Sequence, residues 1–312
     1  MNVADWLLDS DPAIRWQDIR DLTSASPGKI GGERARVTRE GLGAEILGLQ
    51  EPDGSWHREN APAWSTTLFT LLLLRATGVD PAEGKVKSAV ARLETGLRWN
   101  DNDGRWNLRP AETGGNTFFK GEEEPCINGG VLALGGYFGR PTESLARRLI
   151  GEQLEDGGWN CEAPKSKRSS FHTTMCVLEG LLEYERAVGD APEVTAARRK
   201  GEQYLLKRGL FRRLSSGEVA NSEFLKLAFP PRYHYDVLRA LDYFRATGAQ
   251  ADGRMEEALQ VIESKRQADG RWLLDAEYDA AVPVSARESV GDPSRWNTLR
   301  ALRVLRWARR DT

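Results

Sequence analysis

Two short segments carry the residues best suited to chemistry. Glu124-Pro125-Cys126 and Phe171-His172-Thr173-Thr174 each open an apolar, helix-like run at matching points of an internal repeat. A carboxylate, a thiol and an imidazole brought to one rim would form a three-ligand zinc site with room for a fourth partner. That arrangement activates a bound nucleophile rather than stapling a fold. Taken singly, each residue has a plain structural use as well: Cys126 as a small core residue, His172 as a cap or core imidazole, and Glu124 as one of three solvated acids in Glu122-Glu123-Glu124. Cys176, one helical turn beyond His172, reads as a buried core thiol.

A second cluster is Phe229-Pro230-Pro231-Arg232-Tyr233-His234-Tyr235-Asp236. Prolines fix the entry to a helix, and Asp, Tyr or His there can satisfy its free N–H groups. The same segment offers Arg232 as an anion contact and His234, Tyr235 and Asp236 as acid–base groups or a further metal ligand. Trp64, Thr66, Asn128, Arg295 and Asn297 stand at the starts of other apolar runs and are expected to line the same cavity.

The elements that must position these groups follow from a repeat. The tag Asp-Gly-x-Trp occurs at Asp53, Asp103, Asp156 and Asp269, with Gln50, Gln153 and Gln267 just upstream of three copies. The tags lie 50, 53 and 113 residues apart (53 to 103, 103 to 156, 156 to 269), so a degenerate copy is expected near Arg208-Gly209-Leu210-Phe211. Amphipathic runs precede the tags: Glu33 to Leu49, Val86 to Leu93, Leu145 to Leu154, Ala196 to Leu206 and Met255 to Ser264. They read as outer, half-solvated helices. More apolar runs follow the tags: Ser65 to Leu74, Ile127 to Tyr137, Thr173 to Tyr184, Tyr235 to Phe244 and Trp296 to Trp307, with Ala13 to Leu22 as a sixth. These read as inner helices. Arg15-Trp16-Gln17 echoes Arg295-Trp296-Asn297, so the two ends are expected to close a ring. Asp-Gly supplies a turn that tolerates positive φ, and the Trp wedges between layers.

The chain has 312 residues, a formal net charge of −2 and evenly mixed charges, which argues against nucleic acid or anionic lipid as a partner. No apolar run is long enough to span a bilayer. Three cysteines without compact spacing fit a reduced, cytoplasmic compartment better than a disulfide framework.

The Gln-x-x-Asp-Gly-x-Trp tag and paired helices resemble the α/α-toroid superfamily of squalene and terpenoid cyclases and protein prenyltransferase β subunits. The resemblance covers nearly the whole chain. It implies an all-α fold, one toroid over residues 1–312 with about five to six helical hairpins, its inner helices around a central cavity, residues 1–32 forming an N-terminal inner helix and linker. Glu124-Pro125-Cys126 is similar to the Asp-x-Cys entry of the prenyltransferase β subunit, with Glu for Asp, and Phe171-His172-Thr173-Thr174-Met175-Cys176 to its Tyr-His-Thr-Cys segment. By that likeness Glu124, Cys126 and His172 bind zinc. The implied function is a zinc-dependent, prenyltransferase-like enzyme whose metal activates a thiol or water, acting on a small molecule such as an isoprenoid or a thiol, with no α subunit evident. Two alternatives are a terpenoid-cyclase-like enzyme lacking the Asp-x-Asp-Asp acid motif, and a non-catalytic lipid- or peptide-binding toroid.

Overall fold

The computed structural model describes residues 2–102, 104–278 and 282–309, and 53% of the chain is helical. The helices, in chain order, are α1 (Val3–Leu8), α2 (Pro12–Leu22), α3 (Pro27–Arg34), α4 (Gly41–Gly48), α5 (Ala63–Thr77), α6 (Gly84–Gly96), α7 (Pro125–Tyr137), α8 (Glu143–Gly151), α9 (Phe171–Val188), α10 (Pro192–Leu206), α11 (Val237–Ala246), α12 (Glu256–Ser264) and α13 (Arg295–Ala308). Few strands interrupt them: β1 (Leu97–Asn102), β2 (Arg105–Pro110), β3 (Asn116–Thr117), β4 (Trp272–Leu273) and β5 (Pro293–Ser294). No helix among the described residues is long and apolar enough to cross a membrane.

The chain divides into two compact units, one running from Gly43 to Tyr204, the other made of the N-terminal residues to Leu42, the stretch that begins at Leu205, and the C-terminal helix. In the Gly43–Tyr204 unit, α7 packs against both α5 and α9, with α8 beside α7 and α9. In the other unit, α13 packs against both α11 and α2. Helices expected to be inner therefore adjoin one another in series within each unit. They are buried on most sides: α5 encloses Leu68, Leu71, Leu73 and Leu74 together with Thr66, Thr67, Thr70 and Thr77. A buried ionic network ties the second set, with Arg303 of α13 reaching Asp242 on α11 and both Gln17 and Asp21 on α2.

The tags do one physical job three times. The indole N–H of Trp56, Trp159 and Trp272 donates to the carbonyl ten residues upstream, on Ile46, Leu149 and Ile262 (2.8, 2.6 and 2.7 Å). Each tryptophan's backbone N–H donates to a threonine hydroxyl at the start of the following inner helix: Thr67, Thr174 and Thr298. The amide of Gln50 bonds Gly54 and Ala89 carbonyls, and that of Gln153 bonds Gly157 and Ala197, so glutamine ties the tag to the next outer helix. All three tryptophans are fully buried. At about 25 cal/mol per Å2, burying some 150 Å2 contributes on the order of 4 kcal/mol each.

Two expectations are corrected. In the second tag, Asp103 lies outside the described residues, and its surroundings form an antiparallel hairpin of β1 and β2, pairing Asn102 with Arg105 and Leu97 with Pro110. Residues 97–100 and 106–108 alternate apolar and polar with period two, the strand signature. Trp99, not Trp106, is the buried residue there, donating to the Phe118 carbonyl at 2.8 Å. The run from Glu33 to Leu49 is also broken, into α3 and α4. Gly41 adopts φ +65°, and a Cβ there would strike the Asp11 carboxylate, which accepts the Leu42 N–H at 2.7 Å.

Candidate metal centre

Close helix packing sets the starts of α7 and α9 side by side; of the expected ligands, Glu124 and Cys126 converge, whereas the ring nitrogens of His172 are not among the mutually close donor atoms. A Cβ on Gly129 of α7 would lie 2.5 Å from the Cys176 carbonyl of α9, one on Gly136 2.5 Å from the Glu183 oxygen, and one on Gly180 2.5 Å from the Gly129 oxygen. Only glycine permits that approach. These contacts join residues 47 apart (129 to 176, 136 to 183) and 51 apart (129 to 180), so α7 and α9 run parallel with their first turns near one another.

Pro125 occupies the first turn of α7, where its missing N–H costs nothing, and Glu124 is the residue before it. The Glu124 side chain makes no cap hydrogen bond, and its Oε2 lies 3.7 Å from Cys126 Sγ. The loop ahead is fixed by Asn128, whose Oδ1 accepts the Glu122 N–H at 2.8 Å and whose Nδ2 donates to the Glu122 carbonyl at 3.0 Å. The Glu122 carboxylate accepts the Glu124 N–H at 2.5 Å, and burial pushes its pKa up to about 7. Glu122 is 1% exposed, so the three glutamates are not a uniformly solvated run.

A residue the motif reading passed over completes the group. Cys161 follows the buried Trp159 by two positions, in a loop where Asn160 donates to the Arg168 carbonyl and Ser170 N–H bonds the Trp159 carbonyl. Its sulfur lies 3.4 Å from the Thr173 hydroxyl. The ligand atoms of Glu124, Cys126 and Cys161 all lie within 4.8 Å of one another. The signal for it in the sequence was position: a cysteine just past a tag tryptophan, carried toward the inner helix that the same tryptophan grips.

Two sulfurs and a carboxylate are a donor set that zinc accepts. With Zn–S near 2.3 Å and Zn–O near 2.0 Å, a tetrahedral ion sets S···S and S···O separations of roughly 3.5–3.8 Å. The observed 3.7 Å between Cys126 and Glu124 matches that spacing. A hydrogen bond to Cys161 and burial both push the Cys126 thiol up, and that same bond holds Cys161 down.

The second cluster lies in the other unit. Asp236 caps α11, its Oδ1 accepting the Arg239 N–H at 2.7 Å, while its Oδ2 is buried with no hydrogen-bond partner among the described residues. Burial raises its pKa despite Arg300 and Arg239 nearby. The His234 ring is stacked between Tyr233 and Tyr278, with centroids 4.1 and 3.5 Å away, and burial with Asp236 nearby pushes the Tyr278 phenol up to about 12. Arg232 is buried and holds a left-handed φ of 57°. Tyr235 is fully buried, its hydroxyl donating to the Leu210 carbonyl.

Several residues expected to line the cavity bond backbone groups. Thr66 hydroxyl bonds the Pro62 carbonyl, and Asn297 donates to the Leu227 and Leu273 carbonyls. Arg295 reaches the Trp6 and Asp9 carbonyls and lies over the Trp6 ring, so it ties α13 to α1. Trp64 is half-buried and packs near Phe69.

No protein-family profile and no curated protein matches the chain. Among solved structures, it is similar to type II terpene cyclase MstE from Scytonema without ligand, at 16% identity and a TM-score of 0.46, over 94% of this chain and 86% of that one. A variant of that enzyme in complex with its substrate geranylgeranyl dihydroxybenzoate is similar at 18% identity and a TM-score of 0.46, over 95% and 86%. A further variant in complex with its product merosterolic acid A gives 18%, 0.45, 94% and 85%. These are terpene cyclases rather than zinc-dependent prenyltransferases.

Proposed function

We propose that the chain is an enzyme with a zinc–thiolate centre held by Glu124, Cys126 and Cys161, with His172 at the fourth position or beside it. The observation that carries this is the convergence of the three donor atoms within 4.8 Å at the paired starts of α7 and α9. His172 opens α9 beside that group without being one of its three mutually close donors. Bound zinc would lower the pKa of a coordinated thiol or water and so supply a nucleophile at neutral pH. The protein's part is to hold the donors: Glu122 and Asn128 fix the Glu124 backbone, Thr173 meets Cys161, and Gly129 lets α9 come close. Glu124 is exposed, which leaves an approach for a substrate.

Elemental analysis tests this. Purified protein supplied with zinc should retain about one ion per chain, and Cys126→Ala or Cys161→Ala should lose it. Loss in His172→Ala as well assigns the fourth ligand. Protein that stays metal-free removes the reading.

A second reading, acid-initiated chemistry on an apolar substrate of the terpene-cyclase kind, is favoured by Asp236. A buried carboxyl with a raised pKa and an unpartnered oxygen is the form in which an aspartate donates a proton. Under that reading Asp236→Asn abolishes turnover of a prenylated substrate, whereas Cys126→Ala leaves it intact.

A further inference from the structure

We propose that Cys126 and Cys161 form a reversible two-electron oxidation site, closing to a disulfide that withdraws both sulfurs from a metal. The metal-release part rests on the zinc reading; the sulfur pair stands on geometry alone. The two sulfurs lie within 4.8 Å, and a disulfide sets them about 2.05 Å apart, so the pair must close by at most about 2.8 Å. Cys126 is anchored in the first turn of α7, while Cys161 is carried by the loop between Trp159 and α9. Closure is therefore a movement of the loop, which bonds itself through Asn160, Ser166 and Arg168 and can shift as a piece.

The surroundings give the two sulfurs different tasks. Thr173 Oγ1 lies 3.4 Å from Cys161 on the loop side of the pair, and Glu124 Oε2 lies 3.7 Å from Cys126 on the helix side. With a peroxide as oxidant, the Cys161 thiolate attacks one oxygen, the O–O bond breaks, and the released hydroxide leaves as water after gaining a proton. This leaves a sulfenic acid on Cys161. The Cys126 sulfur then attacks that sulfur; the S–S bond forms, the S–O bond breaks, and the departing hydroxide takes the Cys126 proton to leave as a second water. Two thiols and one hydrogen peroxide thus become one disulfide and two waters, two electrons passing from sulfur to oxygen. Cys176 is buried on α9 near Cys126 but is not a member of the donor group.

The test uses the full chain, metal-free, with one equivalent of hydrogen peroxide, and counts thiols after denaturation. The three thiols should fall to one, peptide mass spectrometry should link Cys126 to Cys161, and a thiol reductant should restore all three. Cys176→Ala should fall from two to none with the same link. Zinc-loaded protein should release its metal in step with the link. Three surviving thiols, a link through Cys176, a link between chains, or sulfinic acid in place of the disulfide would overturn the proposal. A link in a chain that binds no zinc upholds the oxidation site and removes the metal reading; zinc binding without a link does the reverse.

Discussion

Replacing Gly129 by alanine sets two effects of known size against each other. In an exposed helix the change stabilises by up to about 1 kcal/mol, because alanine loses less backbone freedom on folding. At Gly129 the new methyl would lie 2.5 Å from the Cys176 carbonyl carbon and oxygen and 2.7 Å from the Val177 nitrogen. Ordinary contact needs roughly 1 Å more, and the neighbour is backbone, so α9 itself must retreat; such overpacking costs about 1–3 kcal/mol. Clash should outweigh propensity, leaving a net loss of about 1–2 kcal/mol. The effect on the site should be larger than on the fold, since a retreat of about 1 Å is twice the tolerance of a ligand constellation. Zinc affinity should drop by about ten- to a hundredfold. Gly31 in α3, where a Cβ meets nothing within 4 Å, is the control: its alanine variant should gain stability and bind zinc as before. Urea unfolding and competition with a chromogenic chelator give both quantities. A Gly129→Ala protein with wild-type affinity and stability would refute the claim that glycine contact between α7 and α9 builds the site.

Other outcomes follow from the buried charges in the second unit. Burial, with Asp21 nearby, raises Asp18 to about 6, so the folded state binds a proton that the unfolded chain has released. Its ionisation opposes folding increasingly from about pH 4 to pH 6 and fully above, and a shift of about 2 units corresponds to at most about 3 kcal/mol. Asp18→Asn should be more stable than wild type by about 1–3 kcal/mol at pH 7, with the gain gone below about pH 4; a difference curve flat with pH would contradict this. Asp242 shows the opposite sign: burial works upward, but Arg303, Arg245 and Arg300 outweigh it and hold the carboxyl well below its ordinary value. Its contribution is present above about pH 4 and is lost as pH falls toward its lowered value. Arg303→Met should cost about 3–5 kcal/mol at pH 7 and less at pH 3, read from urea midpoints at the two values.

Much of the helical scaffold could be read from periodicity and tags, because the inner helices carry buried apolar faces and three of them, α5, α9 and α13, are gripped near their starts by a tag tryptophan. The Ile127 to Tyr137 and Thr173 to Tyr184 runs fall within α7 and α9. The break between α3 and α4 was not readable, since it depends on Asp11, thirty-one residues before the Leu42 N–H it accepts. Glu124 and Cys126 could be named from their places before and within the start of α7, whereas His172, named from the start of α9, is not among the mutually close donors. Cys161 carried only the signal of standing two residues past a tag tryptophan, and that signal gains meaning only once Trp159 reaches Leu149 and Thr174. The burial of Glu122 was hidden for a similar reason: Asn128, one turn into α7, pulls it in.

The span between each tag tryptophan and the threonine that receives its backbone N–H is 11 residues for Trp56, 15 for Trp159 and 26 for Trp272. One clasp thus closes segments that differ more than twofold in length, and doubling such a segment adds only about 0.6 kcal/mol of closure entropy. Natural variation can therefore lengthen or rewrite these segments while the helices beneath stay in register. Cys161 sits in one of them, so a donor for metal could be gained or discarded by a change in a single loop. Lineages sharing this scaffold are then free to diverge in chemistry faster than in architecture.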